Sequence, residues 1–318
     1  MSGVITDVPQ VPEGHQIPQE WFDERLRNYS SKSKVLESVY AEEIAAFQAF
    51  CSNQTSPDEA AQAITRPISN TCVPDLGGYA PEIVALCQLL ELLIDALIEW
   101  PSSRTPDLIA LLTAISNIPD NLHQGEALDD DDNVLTWSGP PYINMVWSDA
   151  NWMTPHIIVK ECSKHSNSDA ALQHACDKYI KAQDVEAQLV AVGLGPFGMK
   201  RAFYYLIYAL EWHLNPKDKA EAQKKESRAR EPFQPRFHIP AVTCWIKHTG
   251  QKLYEGLCSN EMKDWDPKDI PTVMKHFNQP SERWAFWKEQ LIGVAKNWSD
   301  EFVRNSAEQA VKYMQDIA

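Results

Sequence analysis

Tyr204, Tyr208 and Glu211 stand at i, i+4 and i+7, a spacing that puts two phenols and a carboxylate on one face of an α-helix. Further along the chain, Ala241, Trp245 and His248 share a helix face by the same rule. A cavity between two such faces is aromatic, with a few convergent donors and one titratable pair, which is the usual make-up of a small-molecule pocket. The chemistry it suits needs no nucleophile. Holding the reacting ends of an apolar substrate together lowers a barrier by conformational restriction. A Tyr or His donor to a carbonyl adds stabilisation where charge develops. On this reading Tyr208, His248 and Glu211 are the catalytic candidates, with Glu211 orienting one of the donors, and Tyr204 and Trp245 line the substrate. Tyr142, Trp147 and Trp152 complete the substrate-binding set.

These residues need elements to hold them, and the first is the stretch from Met199 to Leu214. Every residue from Ala202 to Leu210 is apolar or aromatic, so a helix here has no polar face and belongs in a protein interior. Lys200 and Arg201 at one end and Glu211 and His213 at the other leave it too short to cross a bilayer. It is expected to be the buried central helix, with Phe203, Ile207 and Leu210 fully enclosed. Helical periodicity recurs over Gln19–Tyr29, Ser33–Cys51 and Pro81–Trp100, and after Thr105. It returns over Pro141–Trp152, Ser168–Val192, Pro240–Cys258, Ser281–Asn297 and Ser299–Ile317. Ser56-Pro57-Asp58-Glu59 opens another helix, expected to stop at Arg66-Pro67. No alternating stretch reads as a strand, and no repeat of fixed period occurs. The expectation is an all-α protein: a single large irregular bundle of about nine to eleven helices around residues 199–214. Residues 1–18 read as an extended Pro-rich arm and 19–318 as one domain, with a charged insert near 215–239.

Composition narrows the function further. The net charge of −15 argues against a nucleic-acid surface, because phosphates must be met by clustered Lys and Arg. The most apolar window, Ile83 to Ile98, is broken by Gln88, Glu91 and Asp95 and reads as a core helix, so no membrane span is expected. Seven scattered cysteines without a Cys-x-x-Cys, and no signal-peptide pattern, read as reduced thiols of a cytoplasmic protein.

Three motifs invite a cofactor or metal, and each lacks its context. Gly193-Leu-Gly195-Pro-Phe-Gly198 fits a dinucleotide fingerprint. However, the place of the second strand is taken by the polar run Lys217–Glu226, so the glycines read as a helix stop and tight turn. Asp129–Asp132 is similar to the aspartate-rich magnesium motif of terpene synthases, but it sits in a polar stretch without a second metal motif. Cys162-x-x-His165 with His174-x-Cys176 matches no justified zinc spacing. No cofactor and no metal are expected.

Three blocks resemble a fungal family catalogued as domain of unknown function 3632. They are Tyr205–Glu211, Ala241–Tyr254 and Ser281–Glu289, and the likeness covers roughly residues 80–300 in motif order. The Arg-Trp-x-x-Trp-Lys block beginning at Arg283 is its most specific part. Where the family has a tryptophan and a small aromatic block before the central helix, this chain has Asp184–Phe197. The resemblance implies a fungal, intracellular, helical protein and carries over no catalytic residue. Such families can lie in natural-product gene clusters, where cofactor-free cyclases and pericyclases occur. The functional expectation is therefore a cofactor-independent enzyme that cyclises an apolar terpenoid or polyketide-like intermediate. The competing expectation is a non-catalytic helical module that binds a protein through an exposed groove.

Overall fold

The computed structural model describes residues 17–70, 81–119, 137, 142–164, 167–194, 198–214, 232–259 and 279–317. Every regular element among them is helical, as the sequence pattern predicts. In chain order the helices are α1 (Gln19–Lys32), α2 (Glu37–Cys51), α3 (Pro57–Ser69), α4 (Pro81–Glu99), α5 (Thr105–Ser116) and α6 (Ile143–Ala150). Then come α7 (Pro155–Cys162), α8 (Ser168–Ala191), α9 (Gly198–Leu206) and a π-helical segment, Ile207–His213. The last three are α10 (Pro235–Cys258), α11 (Pro280–Asn297) and α12 (Glu301–Tyr313). Among the described residues, no helix is long and apolar enough to cross a membrane. Chain contacts gather into two compact units, Met1–Asn151 and Trp152–Ala318. Residues 1–16 of the arm, the aspartate run and residues 215–231 of the charged insert lie outside the described residues.

Local chemistry sets several helix ends. The Ser56 hydroxyl accepts the Glu59 backbone N–H while the Glu59 carboxylate accepts the Ser56 N–H, a capping box that opens α3. Helix α8 stops as the glycine pattern suggests. Gly193 adopts φ +86°, its N–H reaches Val190 O, and Leu194 N–H returns to Leu189 O, which is a Schellman cap. Leu189–Ala191 are thus helix, where a dinucleotide fold needs strand.

Prolines are where the boundaries depart from expectation. Helix α3 runs past Arg66-Pro67 to Ser69, because Pro67 falls in the last turn, where it removes only one backbone bond, and both Pro67 and Ile68 are buried. Helix α10 begins at Pro235 and takes Pro240 into its second turn. The missing N–H of Pro240 leaves the carbonyl of Arg236 without its helical donor, and the Cys176 thiol of α8 donates to that carbonyl at 3.3 Å.

In the first unit, α1, α2 and the end of α4 enclose an aromatic core. Phe47 stacks on Trp100 at 5.2 Å, and Trp21 and Phe22 meet Trp100 edge-on. Arg25 lies over the Trp21 ring and pairs with Asp95 and Glu99, at 2.9 and 2.6 Å. Deeper in, Tyr29, Tyr40 and Glu43 are buried, and the two phenol oxygens and Glu43 Oε1 have no hydrogen-bond partner among the described residues. Burial pushes the Glu43 carboxyl well above its usual range, so folding favours the protonated acid.

That shift has a definite sign. Below the usual carboxylate range both folded and unfolded chains hold the proton, and Glu43 costs nothing. As pH rises from about 4.5, the unfolded chain releases the proton first and the fold loses stability until Glu43 itself ionises. Glu43→Gln is expected to raise the melting temperature at about pH 8 relative to the native chain and to leave it nearly unchanged at about pH 4. Thermal denaturation at the two pH values checks this. A gain that is equal at both contradicts the assignment.

Candidate functional site

The second unit is organised around residues 198–213. Ala202, Phe203, Leu206 and Leu210 are fully enclosed and Ile207 is almost so, as the uninterrupted apolar run predicts. Burying each of the Phe, Leu and Ile side chains stabilises by about 1.5–3 kcal/mol. The run is one continuous helix in two geometries, α to Leu206 and π from Ile207 to His213. An i→i+5 helix is wider than an α-helix, so residues five apart come onto one face. Tyr208 and His213 accordingly meet with ring centroids 4.6 Å apart.

Buried ion pairs hold this helix at both ends. At the start, Arg201 lies 3.4 Å from Glu186 of α8, whose side chain is wholly enclosed, and the guanidinium lies over the Tyr205 ring. Tyr205 in turn accepts a long hydrogen bond, 3.5 Å, from the Tyr179 phenol. At the far end the Glu211 carboxylate is fully buried and takes three donors from α11. Arg283 Nε donates to Oε1 at 2.7 Å, Arg283 Nη2 to Oε2 at 3.0 Å, and Trp287 Nε1 to Oε1 at 2.6 Å. Arg283 and Trp287 are one helical turn apart, so one face of α11 supplies the whole grip.

The π turn explains how the predicted site residues are distributed. A period of 3.6 puts Tyr204, Tyr208 and Glu211 on one face. Tyr204 and Tyr208 do stay together, stacked at 6.0 Å, whereas Glu211 is turned to Arg283 and Trp287. Trp245 packs on Tyr205 at 5.9 Å and donates its indole N–H to Gln183 Oε1. His248 hydrogen-bonds Asp184 at 2.8 Å through Nε2. The five residues therefore fall into four sets of partners. Of the remaining three, Tyr142 is half-buried ahead of α6, Trp147 is fully buried in the first unit, and Trp152 is exposed in the second.

A denser constellation forms around Tyr208. His213 and His238 both lie parallel to Phe233, each with its centroid 5.1 Å from the phenyl ring and with interplanar angles of 10° and 7°. Tyr208 leans on both imidazoles, and Trp212 meets Tyr204 and Tyr208 edge-on. Nδ1 of His238 accepts the Gln234 backbone N–H at 3.1 Å, which leaves the ring proton on Nε2. Burial, then the neighbouring His213, push this imidazole down to about 3, so it is neutral across the physiological range. The Trp212 indole N–H is buried and has no hydrogen-bond partner among the described residues. Neutral donors among aromatic rings suit an uncharged acceptor such as a carbonyl oxygen.

Sequence reasoning misses Trp212, His213, Phe233 and His238 as a group. His213 needs the π register to reach Tyr208, and His238 lies ahead of Pro240, outside the helix expected from the sequence. Pro235, which ordinarily marks the first turn of a helix, is the one signal that places His238 inside it. Among the described residues, no three His, Cys, Asp or Glu side chains are grouped as metal ligands.

The fold and these interior contacts define an all-helical protein built on a buried helix gripped by Arg283 and Trp287. Residues 91–291 match the family described as Protein of unknown function (DUF3632), and the chain belongs to that family. No curated protein and no solved structure matches it. The matched span contains both Glu211 and the α11 residues that hold it. Trp287→Phe keeps an aromatic ring at α11 but removes one donor from a buried carboxylate. Chemical denaturation is expected to show a loss of about 1.5–3 kcal/mol. A change under about 0.5 kcal/mol, the range of ordinary surface substitutions, would mean that this bond contributes little to the fold.

Proposed function

We propose that the protein is a cofactor-independent cytoplasmic enzyme of fungal natural-product biosynthesis. It binds an apolar terpenoid or polyketide-like intermediate at the Tyr208 cluster and promotes a cyclisation or cycloaddition there. The observation that carries this reading is the buried Trp212 N–H, without a hydrogen-bond partner among the described residues, on a ring that meets Tyr204 and Tyr208, the latter against His213 and His238. A donor left unsatisfied in an apolar interior costs about 1–3 kcal/mol, and a ligand oxygen recovers that energy. The neutral imidazole of His238 supports the same reading, since Nε2–H can polarise a carbonyl without a proton being lost. The surrounding rings give an apolar substrate a wall that restricts its conformation.

A thermal-shift screen against lipophilic polycyclic ketones and acids, followed by titration of the best binder, tests the proposal. Tyr208→Phe and Trp212→Phe each remove one donor while keeping an aromatic ring. Each is expected to retain the native circular dichroism and to weaken binding by about 0.5–1.5 kcal/mol, or roughly 2- to 13-fold in Kd. Unchanged affinity in both variants would place the ligand elsewhere.

A further inference from the structure

Away from the Tyr208 cluster, α8 and α10 bring together a second set of reactive groups. Lys181, Asp184 and Gln188 follow one another at i, i+3 and i+7 on α8, and all three are half-buried. Opposite them on α10 stand Cys244 and His248, one turn apart, with Lys247 beside them. Asp184 is the hub. It hydrogen-bonds His248 at 2.8 Å and accepts the Gln188 amide at 2.7 Å, and Lys247 lies 3.7 Å away. Burial pushes the Asp184 carboxyl up, but His248, Lys247 and Gln188 together outweigh it and hold the acid below its usual range.

Two groups here could act as nucleophile, and their surroundings separate them. Burial, then the charge of Asp184, push the Cys244 thiol up to about 12, so it stays protonated and unreactive. Lys181 is shifted the opposite way. Burial brings its ammonium down to about 8, and Asp184 offsets this only in part, so a useful fraction is free amine near neutral pH. An amine poised near neutrality, on the same helix face as an ionised carboxylate that holds an imidazole, is the arrangement of a carbonyl-trapping site.

We infer that Lys181 captures a small aldehyde or ketone as an imine, with the Asp184–His248 pair carrying the protons. The Lys181 nitrogen lone pair forms the new C–N bond, and the carbonyl π pair moves to oxygen, which takes a proton from His248. The nitrogen gives up its two protons to the pair in turn, the carbinolamine oxygen takes a second proton from the pair, and water leaves as the C=N bond forms, so the pair ends as it began. The sum is one carbonyl and one amine giving one imine and one water, with no oxidant or reductant involved. Lys181 is the residue that touches substrate, and Asp184 acts by positioning His248.

Reductive trapping on the full-length chain tests this directly. Propanal at low concentration with cyanoborohydride marks amines that form imines, and peptide mass mapping reads each lysine's rate separately. Lys164 and Lys312, both more than half exposed, are internal references in the same molecule. Lys181 is expected to label ahead of Lys164 and Lys312 near neutral pH, with a rate that rises around 8. Asp184→Asn is expected to slow Lys181 by about tenfold or more and to leave Lys164 and Lys312 unchanged. Lys181→Arg should abolish the early adduct with the fold retained. Labelling of Lys181 no faster than the two exposed lysines would overturn the inference. So would an Asp184→Asn variant with native Lys181 kinetics, because the proton carrier would then have no role.

Discussion

A single buried carboxylate fixes the interior of the second unit. Glu211 is removed from water on every side, and taking an ion of that size into a protein interior costs several kcal/mol. Arg283 and Trp287 offset that cost with a two-point guanidinium grip and an indole N–H, and Arg283 is itself almost wholly enclosed. Removing any one partner leaves a buried polar group unmatched, so the three side chains stand or fall together. A pair of this kind adds little to net stability compared with apolar packing. What it supplies is register: it states which turn of the central helix faces which turn of α11.

The second ion pair, Arg201 with Glu186, makes the same statement toward α8. Between the two anchors the helix widens into its π turn, and that widening moves His213 under Tyr208 while Glu211 faces α11. Single π turns inside helices are rare and often lie at functional positions. Here the wide turn carries the Trp212 N–H, which has no hydrogen-bond partner among the described residues, and its Tyr208 meets the neutral His238 of α10. Charged residues toward the two ends of this helix thus tie it to its neighbours, Arg201 to α8 and Glu211 to α11.

Much of the fold was legible before any coordinates. The apolar run Ala202–Leu210 announced its own burial, and Ser56-Pro57-Asp58-Glu59 announced its cap. The three family-like blocks were also visible, though not the reason for them. Tyr205–Glu211 and Ser281–Glu289 belong together because Glu211 and the Arg283–Trp287 pair are two halves of one contact. The site was less legible, for two physical reasons. Face arguments assume 3.6 residues per turn, and the π segment breaks that assumption where the polar side chains lie. Prolines also read as helix boundaries, whereas Pro240 is absorbed into α10 because the Cys176 thiol reaches the carbonyl it leaves open. No sequence pattern foretells that partnership, since it joins residues sixty apart.

The dependence on Glu211 is most directly measured as a coupling free energy. Chemical denaturation of the native chain, Glu211→Leu, Arg283→Met and the double variant gives that coupling in one set of curves. Each single variant strands one buried polar partner and is expected to lose about 3–5 kcal/mol. The double variant is expected to recover much of the loss, for a coupling of about 2–3 kcal/mol. Single losses that simply add in the double variant, within about 0.5 kcal/mol, would contradict the view that this pair sets the register of the central helix.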